Sequence, residues 1–375
     1  MIAWFATKGS GTNEAARMEA LLSDVSACQE WFFDKGAKLR SFWQLLSRLR
    51  EDRPTLIVME GTGIAGGLTC LVGRWVLRVP YVFSSGEAIG PFIRAHHGWL
   101  GWLFEIYERL LCRWCAGFIG WTPYLCGRAL TFGAKRAVTS AGWAWENPAT
   151  DMDGSREKFR RQWGIPESHL VFGIVGALEW NPQRHYCYGW DLVQVAHRIA
   201  RDDISFLIVG GGSGLERLRA AAGDLLGRRV FLPGPVPQAE VLPVLSAMDV
   251  GSLPQSVDTV GMFRYTTKLS EYVHARLPVV TTRIPMAYDL GGDWMWRLRG
   301  DAPWSQDYLD DLCRLADSLT RESIEDRRRT MPGAIATFGR EEQIRRVTRF
   351  IRDIIEDASG TDREKEHEPE WRRHE

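Results

Sequence analysis

The stretch Ser256-Val-Asp-Thr-Val-Gly-Met-Phe-Arg-Tyr-Thr-Thr-Lys-Leu-Ser-Glu-Tyr-Val-His-Ala-Arg-Leu-Pro-Val-Val280 decides how this chain is read. A polar, glycine-containing loop opens a helix, and Pro278 then starts a buried strand. Loop, helix and strand in that order build parallel sheets covered by helices. Lys268 and Glu271 are three residues apart near the helix start, so they share a face. A cation there suits a diphosphate, because a helix N-terminus also favours negative charge. A carboxylate there suits the hydroxyls of a ribose. The plainer alternative is a surface ion pair worth ~0.3–0.5 kcal/mol.

Outward from this stretch the same alternation fills the chain. Upstream strands are predicted at Val171–Val175, Ser205–Val209, Val230–Leu232 and Val250–Ser252. Helices are predicted at Arg156–Trp163, Gly189–Ala200, Leu215–Ala222, Gln238–Ala247 and Lys268–Ala275. The first half repeats the pattern. Its strands are predicted at Ile2–Ala6, Trp31–Phe33, Thr55–Met59, Tyr81–Ser84, Gly117–Gly120 and Ala137–Thr139. Its helices are predicted at Asn13–Ser23, Leu39–Glu51, Ile64–Leu77 and Trp99–Trp114. The class is α/β, with two Rossmann-like parallel-sheet domains. The expected division is 1–150, 151–340, a closing helix over 341–357 that packs back on the first domain, and a disordered charged tail over 358–375. Gly142–Ser155 reads as the linker.

Composition agrees with two cores. The chain has 375 residues, 45% apolar and 25% charged, which excludes whole-chain disorder, collagen and coiled coil. Lys+Arg and Asp+Glu are both 47, and a zero balance argues against a dedicated nucleic-acid binder. No secretory leader is readable at the start and no apolar run reaches the length of a membrane span, so the cytoplasm is the expected compartment. Seven scattered cysteines do not suggest a disulfide framework. The lone Cys112-x-x-Cys115 lacks two further zinc ligands and reads as helix packing. Asp151-Met152-Asp153 reads as a helix cap rather than a metal pair. No metal site is expected.

Two glycine-rich loops follow predicted strands. Thr7-Lys8-Gly9-Ser10-Gly11-Thr12 opens a helix where ligands of wound sheets gather, and Gly9, Ser10, Gly11 and Thr12 are the acceptor-binding candidates. Gly210-Gly-Gly-Ser-Gly214 has Leu215 at the third-glycine place of a dinucleotide fingerprint and lacks the Lys-Ser/Thr of a Walker loop.

Four segments together resemble GT-B glycosyltransferases of family 4. Thr267-Lys-Leu-Ser-Glu-Tyr-Val-His-Ala-Arg-Leu-Pro-Val-Val280 looks like K-L-x-E-Y-x-A-x-G-x-P-V-V. Phe231-Leu-Pro-Gly-Pro-Val-Pro237 with Val241–Pro254 looks like F-x-G-x-V…A-D-V-x-x-x-P. Phe172–Leu178 and Leu207–Gly214 resemble the family's V-G-R-L and L-x-I-V-G-x-G. The first half matches in pattern alone.

The resemblance implies two domains facing a cleft, with the nucleotide sugar held mainly by the second and the acceptor by the first. It implies transfer with retention and no required cofactor or metal, from a UDP- or GDP-sugar. By that match Glu271 holds the ribose and Lys268 or Arg264 the diphosphate. Gly234 and Val236 frame the base, and Gly261, Met262 and Phe263 offer backbone N–H groups to the sugar or β-phosphate. Tyr265 and Thr267 complete the donor set. The acceptor is a glycan, a small molecule or a lipid-linked sugar.

The chain departs from the family in three places. Phe263 stands where a first glutamate is usual, eight before Glu271, while Asp258-x-x-Gly261 lies thirteen before it. Ala177 and Tyr188-Gly189 replace the usual Arg and Lys-Gly. Arg184 is the candidate replacement cation. The first half lacks the family's histidine, and Glu87 is the candidate in its place, as acceptor ligand or general base. His96-His97 reads as a solvated helix start. These departures keep two other readings open: a non-catalytic sugar-nucleotide-binding relative, and a sugar-nucleotide epimerase.

Seventeen tryptophans are an unusual number, and Trp99, Trp102 and Trp114 fall in one very apolar helix. Lys35, Lys38, Arg40, Arg48, Arg50 and Arg53 add positive charge in the same half. Such a helix belongs to a core, or lies at the inner face of a membrane as a peripheral contact.

Overall fold

A computed structural model of the chain describes residues 1–144 and 152–358. The expected linker falls partly outside these residues, as do Asp151 and nearly all of the expected tail.

The described residues form two units, Met1–Ala141 together with the closing helix, and Gly142–Arg340. In the first unit the strands are β1 (Ile2–Ala6), β2 (Cys28–Glu30), β3 (Leu56–Glu60), β4 (Tyr81–Ser85), β5 (Gly117–Gly120) and β6 (Ala137–Thr139). They make one parallel sheet in the order β2-β1-β3-β4-β5-β6. The helices are α1 (Asn13–Leu21), α2 (Lys38–Asp52), α3 (Ile64–Val76), α4 (Ile89–His97), α5 (Gly101–Trp114) and α6 (Pro123–Thr131). Every residue of β1, β3 and β4 is buried, as expected of strands covered on both faces. Caps set the helix starts: the Thr12 hydroxyl accepts from Ala15 N–H at the head of α1, and Thr122 does the same for Leu125 ahead of Pro123.

In the second unit the strands are β7 (Leu170–Val175), β8 (Ile204–Val209), β9 (Val230–Gly234), β10 (Val250–Leu253), β11 (Val279–Thr281) and β12 (Met295–Arg297). Their order is β12-β11-β10-β7-β8-β9, again all parallel. The helices are α7 (Met152–Trp163), α8 (Trp190–Ala196), α9 (Leu215–Ala222), α10 (Val241–Leu245), α11 (Thr267–His274), α12 (Met286–Asp289), α13 (Gln306–Ser318), α14 (Arg321–Arg329) and α15 (Ala334–Phe338). The last helix, α16 (Arg340–Ala358), belongs to the first unit for all but its first residue. A Cβ on Gly117 of β5 would stand 2.5 Å from Phe350 and 2.8 Å from Ile354, so α16 lies directly on that strand.

A buried ion pair ties the second unit together. Arg160 of α7 is fully buried, and its guanidinium donates to Asp249 at 2.8 Å and to the carbonyls of Ala247 and His169. Arg156 reaches the other Asp249 oxygen at 2.9 Å. Asp249 also accepts from Val171 N–H, which fixes the start of β10 against the start of β7.

Three expectations are corrected. The ladder of β2 covers Cys28–Glu30, not Trp31–Phe33. Trp31 and Phe33 are buried, but the chain turns at Asp34, whose carboxylate accepts from Gly36 N–H, and pairing ends. The Trp99–Trp114 helix starts instead at Gly101, after a separate helix α4 that the sequence pattern did not reveal. Gly101 packs against Arg94, where a Cβ would lie 2.8 Å from the Arg94 Cα, so a close α4–α5 hairpin replaces one longer helix. His96 and His97 therefore end α4 rather than start a helix.

Candidate functional site

In the second unit β7 is the first strand, and the chain runs from it through β8 to β9 before crossing to β10 on its other side. The strand order reverses between β7 and β10. Crevices at the carboxyl ends of such strands are where wound sheets bind ligands. Two loops leave there, 176–189 after β7 and 254–266 after β10; Arg184 lies on the first, Gly261–Tyr265 on the second, and Lys268 and Glu271 on the helix that follows it.

Lys268 and Glu271 occupy the first two turns of α11. The Lys268 ammonium lies 4.5 Å from the centre of the Tyr188 ring, and a Cβ on Gly176 would come within 2.7 Å of it. It forms no salt bridge among the described residues. Glu271 is 9% exposed, and its carboxylate accepts no hydrogen bond among the described residues. Burial raises its pKa, which the Lys268 charge only partly offsets. A largely buried carboxylate that makes no hydrogen bond is an uncommitted acceptor. Here it leaves a strong acceptor beside a cation at the strand-order reversal.

Arg184 joins the two loops. Its guanidinium donates to Asp258 at 3.3 Å and lies 4.9 Å from the Trp304 ring. Asp258 also accepts from Val260 N–H, Gly261 N–H and the Ser256 hydroxyl at 2.8–2.9 Å. Burial pushes the Asp258 pKa up, but the Gly261 and Val260 N–H groups, Ser256 and Arg184 outweigh it and hold the pKa below the usual value.

The N–H groups of Gly261, Met262 and Phe263 differ from expectation. Gly261 donates to the Asp258 carboxylate, Met262 to the Asp258 carbonyl at 3.0 Å and Phe263 to the Val260 carbonyl at 3.3 Å. All three are committed within their own loop. Tyr265 is 5% exposed and its hydroxyl donates to the Gly142 carbonyl at 2.9 Å, a packing role. Thr267 and Arg264 are exposed at the head of α11. Gly234 and Val236 follow β9 beside the glycine-rich loop, where Gly210 N–H donates to the Gly234 carbonyl at 2.9 Å. A Cβ on Gly210 would stand 1.8 Å from the Gly176 carbonyl oxygen, so only glycine lets the two loops meet.

Beneath the loop after β7 lies a buried cluster that sequence reasoning missed. Asp191, on the first turn of α8, accepts from the Tyr186 hydroxyl at 3.0 Å. Burial raises its pKa to about 6, against the opposing pull of Tyr186 and nearby backbone N–H groups. An acid two residues inside a helix that follows Tyr188-Gly189 was a readable signal. Trp304 was not, because only folding brings it to Arg184.

In the first unit the order reverses between β1 and β3. The loop Gly9–Thr12 leaves there, with Thr12 donating to the Gly9 carbonyl at 2.8 Å. Thr7 ties it to β3 through its N–H and hydroxyl, both donating to the Glu60 carbonyl. Glu60 is fully buried and pairs with Arg17 at 3.1 Å, while Arg17 also donates to the Ser140 carbonyl. Burial raises the Glu60 pKa despite Arg17. Glu87 lies in the loop after β4, where its N–H donates to the Ser85 hydroxyl and its carbonyl accepts from it. Cys112 and Cys115 are buried at the end of α5, and burial raises both thiol pKa values, that of Cys115 to about 12. No group of three or more potential metal ligands exists among the described residues. None of their helices is long and apolar enough to cross a membrane.

The family model for glycosyl transferases group 1 matches residues 169–295, which contain β7 through the start of β12 and both loops of the site. This stretch is similar to group 1 glycosyltransferase domains. A curated relative, the D-inositol 3-phosphate glycosyltransferase of Corynebacterium urealyticum, is 32% identical over 161 residues, 40% of this chain and 36% of that protein. The chain thus spans little more than a third of the curated relatives it matches. HepE of Anabaena, solved with UDP, superposes with a TM-score of 0.66 at 12% identity over 94% of this chain and 99% of that one. Sucrose-phosphate synthase of Thermosynechococcus elongatus does so at 0.67 and 11% identity over 95% and 99%. The fold is GT-B: two parallel α/β units, the second of which contains the matched stretch.

Proposed function

We propose that this chain transfers a sugar from a nucleoside-diphosphate sugar to a hydroxyl acceptor, with retention and without a metal. The observation that carries the reading is the largely buried Glu271 carboxylate, whose side chain makes no hydrogen bond among the described residues, beside Lys268 where the strand order reverses. HepE is described in complex with UDP and with UDP-glucose, which makes a uridine nucleotide the first donor to test, followed by GDP.

In this reading Glu271 accepts the two ribose hydroxyls. Lys268, Arg264 and Arg184 face the diphosphate, and Gly234 and Val236 frame the base. When the anomeric carbon–oxygen bond to the β-phosphate breaks, negative charge builds on the phosphate. Cations placed there in advance stabilise that charge most in the transition state. The new bond forms to the acceptor oxygen, whose proton passes to the departing phosphate oxygen. That exchange depends on holding the acceptor in place more than on a strong base. Gly9–Thr12 and Glu87 hold the acceptor, which is a glycan, a small molecule or a lipid-linked sugar. The last choice brings the protein to the inner face of a membrane as a peripheral contact. The N–H groups of Gly261, Met262 and Phe263 meet the sugar or β-phosphate only if they leave their partners Asp258 and Val260 within the loop.

A thermal-shift screen with UDP, GDP, ADP and dTDP tests the donor assignment, because a ligand that binds only the folded state raises its stability. Stabilisation by none of them overturns it. Release of UDP from UDP-sugars by the purified protein separates a transferase from a non-catalytic binder.

A further inference from the structure

Helices α2, α3 and α5 lie side by side on one face of the first sheet. Gly73 of α3 meets Leu49 of α2, and Gly67 of α3 meets Tyr107 and Leu111 of α5. The outward faces of α3 and α5 are apolar. On α3 they carry Ile64, Leu68, Trp75 and Val76, all exposed. On and just before α5 they carry Trp99, Trp102, Leu103, Ile106, Leu110 and Trp114, also exposed, with Trp99 at 71%. The spacing in α5 is that of an amphipathic helix facing solvent with its apolar stripe. Trp75 and Trp114 touch edge to face at 5.9 Å, so the two stripes form one surface. A continuous exposed apolar face marks a place where something binds.

The charges around it favour one occupant. The segment 61–80 contains no Asp or Glu, but contributes Arg74 and Arg78. The segment 94–116 contributes Arg94, Arg109 and Arg113 and has two acids. Glu105 is paired with Arg94 and Arg109, and Glu108 is buried against Arg128. A second copy meeting this face by two-fold symmetry would oppose one basic rim to the same rim. An anionic bilayer complements both features: acyl chains take the tryptophans and leucines, and headgroups take the arginines.

We propose that the α3–α5 face seats the protein on an anionic lipid bilayer. This deepens the peripheral contact proposed above, rests on it, and names its surface and lipid class. Because α3 and α5 run antiparallel to the strands beside them, Ile64 and Trp99 lie at the carboxyl edge of the sheet, the edge from which Gly9–Thr12 emerges. Seated this way, the candidate acceptor loop is near the bilayer surface.

The test is co-sedimentation of the full chain with phosphatidylglycerol vesicles and with phosphatidylcholine vesicles. The expected result is binding to the first at least tenfold tighter than to the second, weakened at least tenfold by Trp99→Ser with Trp102→Ser, and weakened in a salt-dependent way by Arg74→Gln with Arg113→Gln. Each variant must keep the wild-type melting temperature and the wild-type response to UDP. Should the serine variant misfold, Leu103→Gln with Leu110→Gln tests the same stripe. Failure to bind either vesicle overturns the proposal, as does vesicle binding that these variants leave unchanged. A concentration-dependent dimer broken by the tryptophan variant also overturns it and assigns the face to a second copy. The UDP response is read separately, so loss of the donor reading and loss of this one are distinguishable.

Discussion

Replacing Glu271 by Gln should move binding and stability in opposite directions. The carboxylate is largely buried and makes no hydrogen bond among the described residues, so in the free protein burial disfavours its charge more than Lys268 favours it. Two hydrogen bonds from a ribose to a charged acceptor are each worth roughly 1.5–3 kcal/mol. Glutamine keeps the shape but turns one acceptor oxygen into a donor, so about one of the two bonds is lost. Roughly 1.5–3 kcal/mol corresponds to a rise of about 10- to 100-fold in the dissociation constant for UDP. The same change removes a buried charge, so the melting temperature of the free protein should stay level or rise. Calorimetric titration with UDP and with its 2′-deoxy form sharpens the test. The wild type should prefer UDP, and Glu271→Gln should erase most of that preference. Acid should mimic the mutation. Because the folded pKa lies above the usual glutamate value, UDP affinity should fall as pH drops through a range higher than an ordinary glutamate titrates in. A UDP affinity unchanged by Glu271→Gln, or an equal loss for both nucleotides, would refute the role given to this residue.

Three further outcomes follow from the geometry. Arg184→Ala should raise the dissociation constant for UDP severalfold or more while leaving uridine binding unaltered, since its guanidinium is assigned to the phosphates; titration with both ligands checks it. Asp249→Ala leaves Arg160 buried without its carboxylate and should cost about 3–5 kcal/mol, a fall of roughly 10 °C in the melting temperature of the second unit by calorimetry. Asp191 has a folded pKa of about 6, above its unfolded value, so it favours the folded state most at low pH, and that contribution is lost as pH rises from about 4 through 6. The loss is at most roughly 3 kcal/mol, and denaturant midpoints measured across that range should flatten in Asp191→Asn.

The wound-sheet pattern was legible because parallel strands buried on both faces are unbroken apolar runs. β3 and β8 stand out for that reason, and their residues are all buried. The short β12 was missed: Met295–Arg297 is three residues long and ends in a charge. Helices α4 and α6 were missed because Pro91 and Pro123 near their starts look like breakers. Lys268 and Glu271 were legible because their neighbourhood is contiguous in sequence. The partner of Arg184 was not, since Asp258 lies 74 residues away and only the crossing from β9 to β10 brings it close. The self-satisfied turn over Asp258–Arg264 was illegible for another reason: backbone hydrogen bonds of an irregular loop leave no periodicity.

The position of α16 has a consequence for biogenesis. Its Ile344, Val347, Ile351 and Ile354 are buried, each worth roughly 1.5–3 kcal/mol to the half of the molecule translated first. Some two hundred intervening residues must therefore leave the ribosome before that half gains its final wall, whereas the second unit is complete as soon as Arg340 emerges. A premature stop just beyond Arg340 would then cripple the more distant half of the polypeptide and spare the adjacent one.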